Sequence, residues 1–259
     1  MRERINYDEG WLFHRGDLDY PLPAYKGVAY MGAKTERYHL GPAAKDYFAA
    51  VDPYTTEREH KSEKWEKVDL PHDYIIEGLP DKKYNPAWGF LPYENAWYIK
   101  KFTLDKADKS KRLTLFFEGV AVHATVYLNG CLMKHNFCGY TSFEVDITDY
   151  AEFERENTLV VYVNTDEHEG WWYEGGGIYR SVWLEKTELV SVERWGVFVK
   201  PEHQPDDSWL VPISVEIRND GAKQKRVKTV VTIVDQNGND VISAEKTVSA
   251  VAGEITEVK

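Results

Sequence analysis

The run Val122-His123-Ala124-Thr125-Val126-Tyr127-Leu128-Asn129-Gly130 decides the fold class. Its even positions are apolar through Leu128, the period of a half-buried strand, and Asn129-Gly130 then supplies the positive φ that a tight hairpin needs. Moving outward, Phe143-Glu144-Val145-Asp146-Ile147-Thr148 alternates as cleanly, and Leu113–Phe117, Thr158–Val163 and Tyr179–Leu184 read as further strands. Strand signals begin in earnest after residue 95, and long helical periodicity is nearly absent. Such density predicts a sandwich or jelly roll. From about Glu185 the spacing restarts with Val197-Phe198-Val199, Val211–Ile217, a turn at Asn219-Asp220-Gly221, Val227–Val234 and a turn at Asn237-Gly238, the pattern of an immunoglobulin-like sandwich. About 72 residues follow Thr187, against roughly 100 in a complete domain of that type, and Glu257-Val258-Lys259 still reads as strand. The expectation is therefore an all-β chain: a jelly-roll β-sandwich over residues 1–186, then an incomplete, truncated immunoglobulin-like β-sandwich over 187–259. Between residues 20 and 64, Pro21, Pro23, Pro42 and Pro53 interrupt any period and charges crowd Thr55–Lys64, which predicts a surface excursion with little regular structure.

Composition agrees with two domains and narrows the partners. The chain has 259 residues, 42% of them hydrophobic, and its 9 Trp, 17 Tyr and 10 Phe favour pleated, half-buried surfaces. A formal net charge of -11 argues against nucleic acid, whose binding depends on Lys and Arg displacing condensed counterions. No stretch approaches the ~18 apolar residues of a membrane span, and Met1-Arg2-Glu3-Arg4-Ile5 lacks the apolar core of a signal peptide. The chain reads as soluble, with no membrane partner. A Met set in front of a cleavage point would read the same way, and a periplasmic or secreted location is expected over a cytoplasmic one. Cys131 and Cys138 lie seven residues apart, too far along a strand at ~3.3 Å per residue for a disulfide, so two free thiols are expected. The eight histidines are scattered, with no cluster of the kind that zinc requires.

The most specific segment is Glu169-Gly170-Trp171-Trp172-Tyr173-Glu174-Gly175-Gly176-Gly177-Ile178-Tyr179-Arg180-Ser181-Val182-Trp183-Leu184. Its three glycines permit positive φ and close backbone approach immediately before a strand. A phosphate loop is excluded, because that chemistry needs Lys-Ser or Lys-Thr and a helix after the glycines, and here Ile-Tyr-Arg leads into a strand. Aromatic faces stack on the C–H faces of sugars, so Trp171, Trp172 and Tyr173 beside an acid suit a saccharide site; the same rings serve equally well in a core or a domain interface, and both readings stand. The acidic pairs Asp206-Asp207 and Glu167 with Glu169 read as solvated surface groups. His72-Asp73 has no nucleophile that can be placed beside it, which favours a structural role over a triad.

That segment resembles the sequence that closes the amino-terminal sugar-binding domain of glycoside hydrolase family 2, the β-galactosidase and β-glucuronidase family. Earlier segments match in the same order: Gly10-Trp11-Leu12-Phe13; Trp65-Glu66-Lys67-Val68-Asp69-Leu70-Pro71-His72-Asp73-Tyr74; Gly89-Phe90-Leu91-Pro92 with Ala96–Phe102; Phe117-Glu118-Gly119-Val120; Ala124–Gly130; and Gly139-Tyr140-Thr141-Ser142-Phe143. The resemblance covers residues 10 to 185, and the remainder looks like the family's immunoglobulin-like domain. It implies a galactose-binding-like jelly roll and a third domain, a (β/α)8 barrel, that carries both catalytic carboxylates. A barrel takes roughly 250 residues, and the family's acid/base glutamate follows an asparagine, a dipeptide this chain lacks. No catalytic residue is therefore expected here.

The parent enzyme implied is an exo-acting retaining glycosidase, nearest to β-galactosidase over the glycine-rich loop, with β-glucuronidase and β-mannosidase open. Its partner is a carbohydrate, a β-galactoside or related β-glycoside. The substrate-binding residues implied are Glu169, Trp171, Trp172 and Tyr173. Glu169 stands eight positions before Gly177, where well-known members place an acid that binds sugar hydroxyls and a monovalent cation. No cofactor is expected for this chain; a monovalent or divalent cation and homo-oligomeric assembly belong, in this reading, to the complete enzyme. Two loop segments depart from the family pattern, Tyr93-Glu94-Asn95-Ala96 and Gly170-Trp171, which leaves the sugar open. The rival is a free-standing carbohydrate-binding, lectin-like module on the same architecture.

Overall fold

The structure, a computed structural model, describes residues 2–18, 64–166, 170 and 172–259. The described residues form seventeen strands and only two short 3-10 turns, Pro86–Trp88 and Lys106–Ser110. They divide into two compact units: Arg4–Lys109 with Leu113–Lys186, and Thr187–Lys259 with Met1–Glu3 and Ser110–Arg112.

The strands of the first unit are β1 (Glu3–Asn6), β2 (Trp11–Arg15), β3 (Glu66–Val68), β4 (Ala96–Thr103), β5 (Lys111–Phe117), β6 (His123–Leu128), β7 (Cys131–Asn136), β8 (Phe143–Asp146), β9 (Glu156–Asn164) and β10 (Val182–Glu188). They make a six-stranded sheet, β3-β2-β4-β9-β6-β7, and a four-stranded sheet, β1-β10-β5-β8. One core lies between them. It takes Trp11 and Phe13 from β2, Ala124, Val126 and Leu128 from β6, Val161 and Val163 from β9, and Leu113, Leu115 and Phe117 from β5. The Phe117 and Phe143 rings stack across β5 and β8 with centroids 4.8 Å apart.

The deciding run behaves as its pattern dictates, with alternate residues of β6 buried. Asn129 (φ 51) and Gly130 (φ 81) then turn the chain into β7. Asn129 also serves through its side chain: Nδ2 donates to the Tyr150 carbonyl and to Asn157 Oδ1, and Oδ1 accepts from the Thr158 amide. That capacity to donate and accept within a buried site is what an amide offers over an aliphatic residue.

Among the described residues three strands, β1 to β3, precede residue 95. Two of them are sheet edges, and all three are too short to show a period. β10 starts at Val182 rather than Tyr179; before it Gly177 makes an isolated bridge to Ala121, and the Tyr179 hydroxyl donates to the Gly139 carbonyl. The predicted excursion over residues 20–64 lies almost wholly outside the described residues.

The second unit holds β11 (Val190–Val199), β12 (Glu202–His203), β13 (Trp209–Leu210), β14 (Ile213–Asn219), β15 (Lys225–Val234), β16 (Asp240–Ala250) and β17 (Ile255–Val258). β11-β14-β17 form one sheet, and β12-β13 and β15-β16 are separate pairs. β14 ends at Asn219, whose Oδ1 accepts the Gly221 amide, so the expected turn is there. The turn between β15 and β16 places Gly238 at φ 85. β11 carries a wide bulge: Val192 faces Ile217 and Val197 faces Val215, leaving Glu193–Gly196 opposite Glu216 alone. The Cys131 and Cys138 thiols are both free. Among the described residues no helix is long and apolar enough to cross a membrane.

Candidate functional site: the loop end of the jelly roll

The register brings several loops to one end of the six-stranded sheet. Arg15 at the end of β2 faces Ala96 at the start of β4, Ala96 faces Val163 near the end of β9, and Asn164 faces His123 at the start of β6. Loops leaving these positions share that end, and loops on a rigid scaffold are where binding residues concentrate.

The glycine-rich loop is pinned there by the His72-Asp73-Tyr74-Ile75 segment. His72 and Tyr74 donate their amides to the Ile178 and Gly176 carbonyls at 2.8 and 3.0 Å. Asp73 does most of the side-chain work: Oδ1 accepts the Ile75 and Gly176 amides, each at 3.1 Å, and Oδ2 accepts the Tyr173 hydroxyl at 2.6 Å. A Cβ on Gly176 would lie 2.5 Å from Ile75 Cγ1, and one on Gly177 (φ +125) 2.5 Å from the Tyr98 hydroxyl and against the His72 carbonyl. These contacts explain the glycines without a ligand, since only a bare backbone fits so close. His72 is buried and bonds to the Tyr98 hydroxyl through Nδ1 at 2.8 Å. The hydroxyl bonded to it is the buried Tyr98 phenol and not that of a serine or threonine, so the pair organises the loop.

Tyr173 and Trp172 are the two sequence-predicted site residues that the structure describes. Tyr173 is 38% exposed and Trp172 51%. Tyr173 lies edge-on to Tyr93 at 6.5 Å, and the Tyr93 hydroxyl accepts the Glu174 amide at 3.2 Å. Burial, then the bond to Asp73 and its charge, push the Tyr173 hydroxyl pKa up, so it stays a donor. Trp172 donates Nε1 to the Tyr140 hydroxyl at 3.0 Å. The two rings are thus held by hydrogen bonds while exposing much of their faces, an arrangement suited to stacking on a sugar. Glu169 and Trp171 lie outside the described residues, as does Glu167.

A second polar group at this end escaped sequence reasoning. Asn95, nearly buried, donates Nδ2 hydrogens to Asp17 Oδ2 at 3.0 Å and Asp166 Oδ2 at 2.8 Å, and its Oδ1 accepts the Thr165 amide at 3.0 Å. Tyr162 donates its hydroxyl to the other Asp17 oxygen at 2.9 Å. Asn95 therefore holds two carboxylates together through its amide hydrogens. Among the described residues no group of three His, Cys, Asp or Glu is arranged to hold a metal. Of the acidic pairs, Asp206-Asp207 sits in the β12–β13 turn, where Asp206 accepts the Ser208 hydroxyl and amide and Asp207 pairs with His203 at 2.8 Å.

The comparisons with known proteins cover this site and most of the chain around it. Residues 57–174 match the family described as glycosyl hydrolase 2 galactose-binding domain-like. A β-galactosidase of Bacteroides ovatus is 32% identical over 97% of this chain and 26% of its own length. The chain belongs to glycoside hydrolase family 2. Among other family 2 relatives, a β-glucuronidase of Formosa agariphila is 30% identical over 75% of this chain and 22% of its own length. The crystal structure of a family 2 member from Bacteroides cellulosilyticus superposes with a TM-score of 0.75 at 31% identity, covering 98% of this chain and 30% of that one. The chain thus spans about a quarter of the length of the curated relatives it matches. The matched family motifs turn out to be mostly architectural. Trp11 is a core ring, Glu118 accepts from Trp183 Nε1 and Arg4, and Asn129 ties β6 to β9.

Proposed function

We propose that this chain is the non-catalytic front region of a retaining exo-glycosidase that hydrolyses β-glycosides, of the β-galactosidase kind, and that Glu169, Trp171, Trp172 and Tyr173 line one wall of its sugar pocket. The observation that carries this is the loop itself: Asp73 fixes Tyr173 and Gly176 so that half-exposed rings stand at the loop end of the jelly roll. The β-galactosidase relative matched over 97% of the chain supports the sugar, and the β-glucuronidase relative at 30% identity supports the second reading, a uronide.

Retaining hydrolysis needs a nucleophilic carboxylate and an acid/base carboxyl about 5 to 5.5 Å apart. The relatives are about four times longer, and the catalytic pair belongs to what lies outside the matched quarter. The purified 259-residue chain should give no turnover of a chromogenic β-galactoside. Expressed with the reading frame that continues past Lys259, the protein should turn over the galactoside faster than the matching glucuronide and mannoside; the reverse order rejects the galactosidase assignment. In that longer protein Glu169→Gln should lower kcat/KM at least tenfold with the fold intact, about 1.4 kcal/mol of transition-state stabilisation. An unchanged Glu169→Gln beside a large loss for Asp166→Asn moves the role to Asp166, and no loss in either removes this loop from the pocket.

A further inference from the structure

The glycine-rich loop has a second side. With neither Asp73 nor Tyr93 in its lining, a cavity of about 220 Å³ opens over the Ala121-Val122 backbone, walled by Tyr140, Glu174, Tyr179 and Arg180. We propose that this cavity binds one neutral hexopyranose unit of a saccharide, at a site separate from the Tyr173 wall. The proposal rests on the saccharide reading above but not on which glycoside the whole enzyme cleaves.

Size, chemistry and construction each contribute. At ~30 Å³ per water, the cavity holds roughly seven waters, space for a single hexose ring and not for two. Two aromatic rings, a carboxylate and a guanidinium line it, the mixture that presents stacking faces together with acceptors and donors for hydroxyls. The acid and the base have opposite charge, which suits a neutral ligand; a uronate or sulfate facing Arg180 would also face Glu174.

The rings are built in place. Tyr179 donates its hydroxyl to the Gly139 carbonyl at 2.7 Å, and the Arg180 guanidinium lies 5.2 Å from the Tyr179 ring centroid. A Cβ on Gly119 would come within 2.9 Å of Tyr179 Cζ and Oη, so the bare backbone at Gly119 sets where that ring lies. Tyr140, already accepting from Trp172 Nε1, keeps its own hydroxyl hydrogen to donate.

The test is an NMR titration of the 259-residue chain with methyl β-galactopyranoside and, separately, methyl β-glucuronide, up to tens of millimolar. The galactoside should bind saturably, and Tyr140→Ala and Arg180→Ala should each weaken it at least fivefold. Trp209→Ala, which removes an exposed ring of the second unit, should leave it unchanged. Gly119→Ala should weaken binding by displacing Tyr179, and Gly119→Ser by as much or more. Arg180 is exposed, so its replacement keeps the test decisive even if Tyr140→Ala fails to fold. Lack of saturation, indifference to Arg180→Ala, or tighter binding of the glucuronide overturns the proposal. Turnover of β-galactosides by the longer protein without binding here removes this site alone. Arg180-dependent binding without any such turnover keeps the site and rejects the parent reading.

Discussion

The two units use similar strands and reach different ends. In the jelly roll the inward residues of β6 and β9, from Ala124 to Leu128 and from Leu159 to Val163, meet the opposite sheet and are fully buried. In the second unit the cluster of buried apolar residues is Val215, Ile217, Ala250 and Val258, and the β15–β16 hairpin adds to it only the partly buried Val227, Val231 and Val248, most of β16 being exposed. Val234, Val241 and Ile242 stand more than half exposed in that hairpin. Alternation therefore specifies a strand, and a facing sheet is what turns the strand into a core. Apolar area left in contact with water contributes none of the ~25 cal/mol per Å² that burial supplies.

Hydrogen exchange should show the contrast most strongly. Amides of β6 and β9 should open only with the whole jelly roll, whereas those of β15 should exchange at least a thousandfold faster, about 4 kcal/mol less protected. Equal protection of residues 211–234 and 122–128 would break the comparison and require a cover for the second unit.

Glycine substitutions sharpen it on a smaller scale. Gly177 and Gly238 both have positive φ, but a Cβ on Gly177 meets the His72 carbonyl and the Tyr98 hydroxyl, and one on Gly238 meets nothing within 4 Å. Gly177→Ala should cost about 3 kcal/mol or more from strain and clash together, and Gly238→Ala about 1 kcal/mol from the backbone alone. Urea unfolding of each variant, followed at the jelly roll and at the second unit, checks both numbers. Similar small losses would mean that the glycine loop is not pinned as described.

What was legible follows from the range of the interaction. Local period and turn chemistry exposed β5, β6, β8 and β9, the Asn129-Gly130 hairpin and the glycine-rich loop, because each is written within a few consecutive residues. The long-range pairs were not legible. Asp73 meets Tyr173 a hundred positions away, and Asn95 meets Asp17 and Asp166 at separations of 78 and 71. One signal was available: Asn95 stands immediately before the apolar run Ala96-Trp97-Tyr98, and a polar group entering a core demands partners. The β11 bulge had no such signal, since Glu193-Arg194-Trp195-Gly196 reads as ordinary strand and loop sequence.

The smallest expected effect is a pH dependence confined to the jelly roll. His72 packs edge-on to Phe13 at 4.7 Å and bonds to Tyr98, and burial lowers its pKa. Glu77, Asp73 and Glu66 pull it upward and Arg15 adds to the lowering, without overcoming the burial. The His72 Nδ1 lies 2.8 Å from the Tyr98 hydroxyl and its Nε2 lies 3.7 Å from Glu77. Because the folded pKa lies below the unfolded value near 6.5, the unfolded chain takes up a proton first as pH falls. Jelly-roll stability should therefore be full above that value, decline as pH drops through it, and level off below the folded pKa. The second unit, whose His203 is exposed beside Asp207, lacks a buried imidazole among its described residues, so the gap between the units should narrow toward acid. Melting at pH 7.5 and at pH 5.5, above the main carboxylate range, compares wild type with His72→Gln, which keeps an acceptor for the Tyr98 hydroxyl. The variant should lose less stability across that interval than the wild type; parallel losses would assign the slope to other groups, His135 first, whose pKa is also lowered by partial burial and by His123.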